Sequence, residues 1–303
     1  MVVGKPLVSI IMNCYNSDHF LREAIESVYD QTYSNWEIIF WDNASTDSSP
    51  EIAKSYDDRL KYFRNNTTTN LGMARKLAMK KTSGKYISFL DCDDIYLCHK
   101  LEAQVKLMES GVYAMCYGGS MIIDESGLVF QYKKAKNNSG YIFRNLLKHY
   151  EINMQSVMLD SSILSKYGYD FSDKLKYSPD YDLFMKISSE RKVAVYKDYL
   201  VKYRISKNSL SVSSVDIIAM ENKYTLDYLH AKNPKKYKKE FSSAYKKLKY
   251  YEIISALYKK DKKKAIGIVK KIFLSRYQFM FLYILLLLPI NSKTILTLLK
   301  RPG

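Results

Sequence analysis

Short apolar runs alternate with amphipathic stretches along the first hundred residues. Val8-Ser9-Ile10-Ile11-Met12 reads as a buried strand. Asp18 can cap a helix in which Phe20, Leu21, Ala24, Ile25 and Val28 fall on one face. Glu37–Trp41 predicts a second strand, and Ser49-Pro50-Glu51 opens a helix with proline at its first position. Leu60–Arg64 is a short strand, Leu71–Thr82 a helix stopped by Ser83-Gly84, and Tyr86–Leu90 another buried strand. This repetition predicts an α/β fold with a mostly parallel central sheet and a ligand at the carboxyl ends of the strands.

The pattern then loosens. A helix at Leu101–Ser110, strands at Ala114–Tyr117 and Leu128–Tyr132, a helix at Tyr181–Ser189 and strands at Val193–Tyr196 and Leu200–Arg204 are expected on the same core. From Ile217 onward the signal is helical and rich in Lys and Tyr, and the serine-rich 208–214 stretch predicts a boundary near 208–216. Phe279–Leu288 is uninterrupted apolar sequence ending at Pro289. That is short of the ~20 residues of a spanning helix, so an interfacial or re-entrant anchor is expected, with a buried core helix as the alternative. The organisation that follows is a catalytic domain over 1–215, a helical Lys/Tyr-rich region over 216–275 and a membrane-associating tail over 276–303.

Composition sharpens this picture. A 303-residue chain with 47% hydrophobic and 14% aromatic residues is long enough for one or two packed domains, which excludes general disorder. The net charge of +17 is concentrated after Asp216, where 20 Lys and Arg face 6 Asp and Glu. Such a face attracts polyanions. The basic runs at 235–239 and 259–264 are interleaved with tyrosine, as nucleic-acid binders are. The apolar run that follows favours an anionic membrane surface instead, and no nucleic-acid partner is expected. Cys14, Cys92, Cys98 and Cys116 have no CxxC or zinc spacing and read as reduced thiols. With no secretion signal, the expected location is cytoplasmic, peripheral to the inner face of the cytoplasmic membrane.

Candidate chemistry sits where apolar strands stop. Asp91-Cys92-Asp93-Asp94 places three carboxylates in four residues at a strand tip, a cluster that needs a cation or hydrogen-bond donors to offset its repulsion. A hard divalent ion, Mg²⁺ or Mn²⁺, is the simplest offset, and a solvated acidic turn is the bland alternative. Asp42 can accept from a nucleobase imide or a ribose hydroxyl, or simply form a turn. Tyr15 can stack on a base or pack ordinarily.

The ordered set Val8–Asn16, Gln31-Thr32-Tyr33, Glu37-Ile38-Ile39, Asp42-Asn43-Ala44-Ser45-Thr46-Asp47, Asn70-Leu71-Gly72, Gly84–Ile87 and Asp91-Cys92-Asp93-Asp94 resembles the family 2 glycosyltransferases, over roughly residues 7–210. The resemblance implies a GT-A type nucleotide-diphospho-sugar-binding domain. It implies that Asn13, Tyr15, Asp42, Asn43, Arg75 and Asp91 bind the nucleotide, and that Asp93, with Asp91, holds Mg²⁺ or Mn²⁺. Ser178-Pro179-Asp180-Tyr181-Asp182-Leu183 resembles the segment whose first Asp is the general base, with Pro179 in place of the usual Glu; Asp180 then takes that role. Asp182, Arg204 and Lys207 are implied as supporting residues. Ser206 stands where the family usually has a His that helps hold the metal, which leaves the third ligand open. The implied activity is inverting transfer from a nucleotide-sugar donor, expected to be a UDP-sugar, to a hydroxyl of a glycan or glycolipid acceptor. A non-catalytic nucleotide-sugar binder and a basic nucleic-acid-binding protein are the alternatives, and self-association into a homo-oligomer is left open.

Overall fold

The structure, a computed structural model, describes residues 4–205, 215–272 and 277–288, with Ser292, Thr294 and Ile295. The chain divides into two compact units. One comprises Met1–Leu146 with Tyr150–Ser209, the other Leu147–His149 with Leu210–Gly303.

The first unit opens with β1 (Val8–Cys14), α1 (Asp18–Tyr29), β2 (Trp36–Asp42), α2 (Ser49–Lys54), β3 (Leu60–Arg64), α3 (Leu71–Met79) and β4 (Tyr86–Phe89). β5 (Ile95–Tyr96), α4 (Lys100–Glu109), β6 (Met115–Ile123), β7 (Val129–Lys133) and α5 (Phe143–Lys148) follow. A 3₁₀ turn at Met154–Ser156 leads to β8 (Met158–Asp160), α6 (Ser161–Tyr167), α7 (Pro179–Glu190) and β9 (Val193–Arg204). Among the described residues the strands form one nine-stranded sheet in the order β3-β2-β1-β4-β8-β6-β9-β5, with β7 also paired to β6. The first four run parallel, as the alternating pattern predicts. Beyond β4 the sheet is mixed: β8 lies antiparallel between β4 and β6, while β9 is parallel to β6.

Register decides where the chemistry collects. Cys14 pairs with Asp42, and Ile11 with Phe89, so the carboxyl ends of β1, β2 and β4 finish together. The strands that place these ends are apolar on both faces, with Val8, Ile10, Ile11, Ile38, Ile39 and Phe40 fully buried. Each such side chain contributes about 1.5–3 kcal/mol over leaving it in water.

Several elements depart from the expected ones. Val193–Arg204 is one strand rather than two, because register shifts opposite Gly119 absorb the exposed Lys197 and Asp198 without breaking the ladder. β5 and β8, of two and three residues, were not expected; they exist because neighbouring strands supply their hydrogen bonds. Ser178 holds the N-cap position of α7, with Pro179 starting the helix and Asp180 in its first turn.

α3 approaches the 172–175 segment closely at Gly72. A Cβ there would stand 2.1 Å from the Ser172 carbonyl oxygen and 2.6 Å from that of Leu175. Only a glycine lets α3 sit so near the chain that leads into α7.

The second unit is helical: α8 (Val215–Lys232), α9 (Lys238–Tyr258), α10 (Lys262–Lys270) and α11 (Tyr277–Leu287). Its core joins Ile253, Leu257, Ala265 and Val269 to Leu282, Leu285, Leu286 and Ile295. The apolar run therefore divides. One face of α11 is core, while Met280, Phe281, Ile284, Leu287 and Leu288 stay 44–62% exposed. Among the described residues, no helix is long and apolar enough to cross a membrane.

A lysine lies in the core of the first unit. Lys100 is fully buried; its ammonium donates to Ser88 Oγ (2.7 Å) and Gln104 Oε1 (2.6 Å) and lies 4.0 Å over the Tyr96 ring. Burial lowers its pKa to about 7. Between that value and about 10.4 the unfolded chain keeps a proton that the folded chain has released, so stability rises with pH across this window and is level below it. We expect denaturant midpoints to climb from about pH 7 to about pH 9 in the wild type, and to do so much less in Lys100→Met. Parallel pH profiles for the two proteins would show that the ammonium keeps its ordinary pKa in the core.

Candidate active site

The carboxyl ends of β1 and β2 carry two interlocked turns. Asn16 Oδ1 accepts from Thr46 N (2.8 Å), Ser45 Oγ from Asn16 N (3.1 Å), and Asp47 Oδ2 from Asp18 N (3.0 Å). Asn16 (φ 49°) and Ala44 (φ 69°) both hold left-handed backbone. Such conformations cost on the order of 1 kcal/mol each and persist where the surroundings enforce them. Tyr15 stands at the rim, 52% exposed, with its ring free to meet a planar ligand.

Asp42 is fully buried, and both its oxygens are engaged. Oδ1 accepts from Ser45 N (2.7 Å); Oδ2 accepts from Tyr62 OH (2.5 Å) and from Arg64, which also donates to the Ser45 carbonyl (2.8 Å). Asn43 links β2 to the 65–69 loop, accepting from Thr69 N (3.0 Å) and donating to Thr69 O (2.8 Å). Asn13, on β1 beside Trp41, has a buried side-chain NH₂ without a partner.

The acidic turn after β4 is held by residues from far along the chain. Gln155 is buried and clamps Asp91 twice, donating to Oδ2 (2.5 Å) and accepting from the Asp91 amide (3.0 Å). Arg204 is also buried: its guanidinium donates to the Asp93 carbonyl (2.8 Å) and to Glu23 (2.6 Å), and lies 4.1 Å from the Phe20 ring centroid. Its main-chain N–H donates to Asp94 Oδ1 (2.7 Å), while Asp94 Oδ2 has no partner. Asp93 is half-buried. Burial first, and then the neighbouring Asp91 charge, push its carboxyl up to about 6. Asp94 is driven up well beyond the carboxylate range, mainly by burial.

Arg75 joins this turn to α7. It is 4% exposed and lies between two carboxylates, Nη2 3.5 Å from Asp91 Oδ1 and Nη1 3.6 Å from Asp180 Oδ1. Burial raises the Asp180 pKa; Arg75 opposes the rise, and Asp91 adds to it. Asp182, two residues on and on the opposite side of α7, is fully buried and paired with Lys186 (2.6 Å). The Tyr150 ring packs on Tyr181 (4.8 Å), and its hydroxyl is buried without a partner.

The structure thus gathers Asn13, Tyr15, Asp42 and Asn43 at the ends of β1 and β2, and Asp91 and Asp180 about the buried Arg75 guanidinium, with Asp93 next to Asp91. Arg204 and Asp182 are turned inward, and Ser206 and Lys207 lie outside the described residues. Tyr62, Arg64 and Tyr150 carried no signal of their own in the sequence. Gln155 was not among the residues the sequence singled out.

Among the described residues, no three His, Cys, Asp or Glu side chains converge as a ready cage for a metal. The residues nevertheless fit a hard cation that brings its own oxygens. Asp91 and Asp93 adjoin, and the Asp93 carboxyl is raised first by burial and then by the Asp91 charge, the second of which a cation would offset. Mg²⁺ is commonly held by one or two carboxylates plus substrate phosphates.

The profile described as Glycosyl transferase family 2 matches residues 9–165. The chain is 33% identical to the Escherichia coli UDP-Glc:alpha-D-GlcNAc-diphosphoundecaprenol beta-1,3-glucosyltransferase WfgD, over 68% of this chain and 79% of that protein. It is 34% identical to the uncharacterized glycosyltransferase MJ1057 of Methanocaldococcus jannaschii, over 78% and 83%. Two solved structures share the fold at low identity. S. aureus TarS 1-349 with UDP-GlcNAc gives a TM-score of 0.59 at 17% identity, covering 86% of this chain and 88% of that one. The mannosyltransferase PcManGT from Pyrobaculum calidifontis, with GDP-Man and Mn²⁺, gives 0.60 at 16%, covering 90% and 77%. With the GT-A-like sheet and the strand-end carboxylates on which these similarities fall, the chain is a member of glycosyl transferase family 2.

Proposed function

We propose that the protein is a divalent-metal-dependent, inverting glycosyltransferase that moves a sugar from a UDP-sugar to a hydroxyl of a membrane-linked glycan. The observation that carries this reading is Arg75, one buried cation with Asp91 on one side and Asp180 on the other. It brings the metal-side acid and the candidate base to one cleft. The donor and acceptor classes follow the name of WfgD, which pairs UDP-Glc with a diphosphoundecaprenol-linked sugar.

In this reading Tyr15 stacks on the base, and the Asp42–Arg64–Tyr62 cluster with Asn43 shapes the pocket that receives it. A base imide that reached Asp42 would take the place of Arg64. Asp93 and Asp91 would hold Mg²⁺ or Mn²⁺, which when bound offsets the negative charge of the departing diphosphate. Asp180 takes the proton from the acceptor hydroxyl as it attacks. Its raised pKa makes it a better base than a solvated carboxylate, while Arg75 keeps it ionised and oriented. The Tyr150 hydroxyl, buried without a partner, is placed to donate to a ligand oxygen there. Attack in a single displacement, with no enzyme nucleophile, inverts the anomeric centre.

Residues 1–215 carry this chemistry in our reading, 216–275 form a Lys/Tyr-rich helical region, and 276–303 associate with the membrane. The exposed face of α11 supports the last part. Met280, Phe281, Ile284, Leu287 and Leu288 are exposed, and Lys262 donates to the Leu288 carbonyl (2.6 Å), setting a basic run against the apolar end. Apolar insertion and attraction to anionic lipid add, and only the second is screened by salt.

Three outcomes are expected. Asp93→Ala removes the metal-dependent part of UDP-sugar affinity in calorimetry; an unchanged metal dependence would place the cation elsewhere. Asp180→Asn leaves donor affinity near the wild-type value and lowers turnover at saturating substrates by about 10²–10⁴-fold, the scale of losing a general base. Near-normal turnover would sink that assignment. Phe281→Asp with Ile284→Asp, both on the exposed face, releases the protein from phosphatidylglycerol vesicles at high salt while the wild type stays partly bound. Equal release of both proteins would mean that charge alone holds it there.

A further inference from the structure

The helical unit contains a cleft that the transfer reaction does not use. α9 presents Lys238, Ser242, Tyr245, Lys246, Lys249 and Glu252 at spacings of four, three, one, three and three residues, which places them on one helix face. Lys223 and His230 of α8 line the same space, with Leu248 and Ile272 as its apolar wall. The cleft holds about 380 Å³, within the range of small-ligand sites.

Its charges are unbalanced. Four lysines line it against one glutamate. Lys249 is paired with Glu252 (2.7 Å), and Lys223 with Asp227 (2.5 Å). Tyr245 OH also donates to Asp227 (2.9 Å), and His230 is stacked on Phe241 (ring centroids 4.6 Å apart). Among the described residues, Lys238 and Lys246 form no ion pair. Two uncompensated ammonium groups eight residues apart on one face, with the Ser242 hydroxyl midway between them and an apolar wall beside, suit a multivalent anion. The wall lowers the local dielectric and strengthens each contact.

We propose that this cleft is a binding site for a phosphate group, a phosphomonoester or diphosphate, separate from the donor site. Lys238 and Lys246 supply its unpaired charges, and Ser242 a hydroxyl donor. The proposal does not depend on which sugar or acceptor the enzyme uses.

The test uses the full-length protein with saturating UDP, so that the nucleotide site is filled. Two probes are titrated: glycerol 3-phosphate, and phosphatidylcholine vesicles with and without phosphatidic acid. We expect saturable binding of at least one phosphate probe. Lys238→Gln with Lys246→Gln should weaken it about tenfold or more, the scale of two charge-assisted hydrogen bonds. Lys263→Gln with Lys270→Gln removes the same charge from exposed positions outside the cleft and should leave it nearly unchanged. Binding of glycerol 3-phosphate that competes with the vesicles identifies a free phosphate ligand. Binding of the phosphatidic acid vesicles alone identifies a lipid headgroup. Equal losses in the two double variants, or no saturable binding of either probe, overturn the proposal. So does tighter binding of a single-stranded oligonucleotide with the same lysine dependence. Thermal melts of both variants establish that they fold.

Discussion

The buried guanidinium of Arg75 is the charge on which both acidic sides of the cleft depend. Asp91 and Asp180 lie 3.5 and 3.6 Å from it, on elements that the chain places some ninety residues apart. The Arg75 side chain is 5% exposed while those of Asp91 and Asp180 keep 38% and 24%, so Arg75 is the member of the set that has no solvent to fall back on. Arg75 reaches this position only because Gly72 lets α3 press against the Ser172 and Leu175 carbonyls. A conformational property of one glycine thereby sets the geometry of a candidate base.

Around that cation the protein tolerates local cost. Asp91, Asp93 and Asp94 crowd one turn, and the fold holds them with Gln155, with the main chain and with a buried Arg204, without neutralising them. The Asp93 carboxyl stays raised as a result. Among the described residues, the buried side-chain atoms without a partner include the nitrogen of Asn13, Nε of Arg75, Oδ2 of Asp94 and the hydroxyl of Tyr150, all on residues of the candidate site. Buried polar groups are normally satisfied, so a cluster of exceptions marks a place where a ligand completes the bonding. The left-handed Asn16 and Ala44 belong to the same region.

The helical unit follows a different logic. Its core is small, and α11 contributes to it with one face while leaving a second apolar face exposed. An exposed apolar stripe next to concentrated lysines suits neither a nucleic-acid surface nor a fully buried helix. The expectations of an anchor and of a core helix were posed as alternatives. The helix meets the core description on one face, and its second, exposed apolar face is the one the proposed anchor would use.

The sequence by itself determined the parallel start of the sheet, because buried strands in such a sheet must be apolar on both faces and their runs end abruptly at polar turns. It also determined the acidic turn after β4 and the position of Asp180, since short motifs carry their own spacing. Other features depended on partners remote in the chain. β5 and β8 are too short to have a pattern and exist through neighbours' hydrogen bonds. Gln155, sixty-four residues from Asp91, acquires its meaning only when the 3₁₀ turn lies beside β4. Nothing in the local sequence tells Arg204 from Arg75, yet one is spent fastening a loop and the other joins two acidic groups. Local pattern fixes which faces are apolar; only the packed register fixes which charge meets which, because Coulomb and hydrogen-bond energies depend on ångström distances that no spacing along the chain encodes.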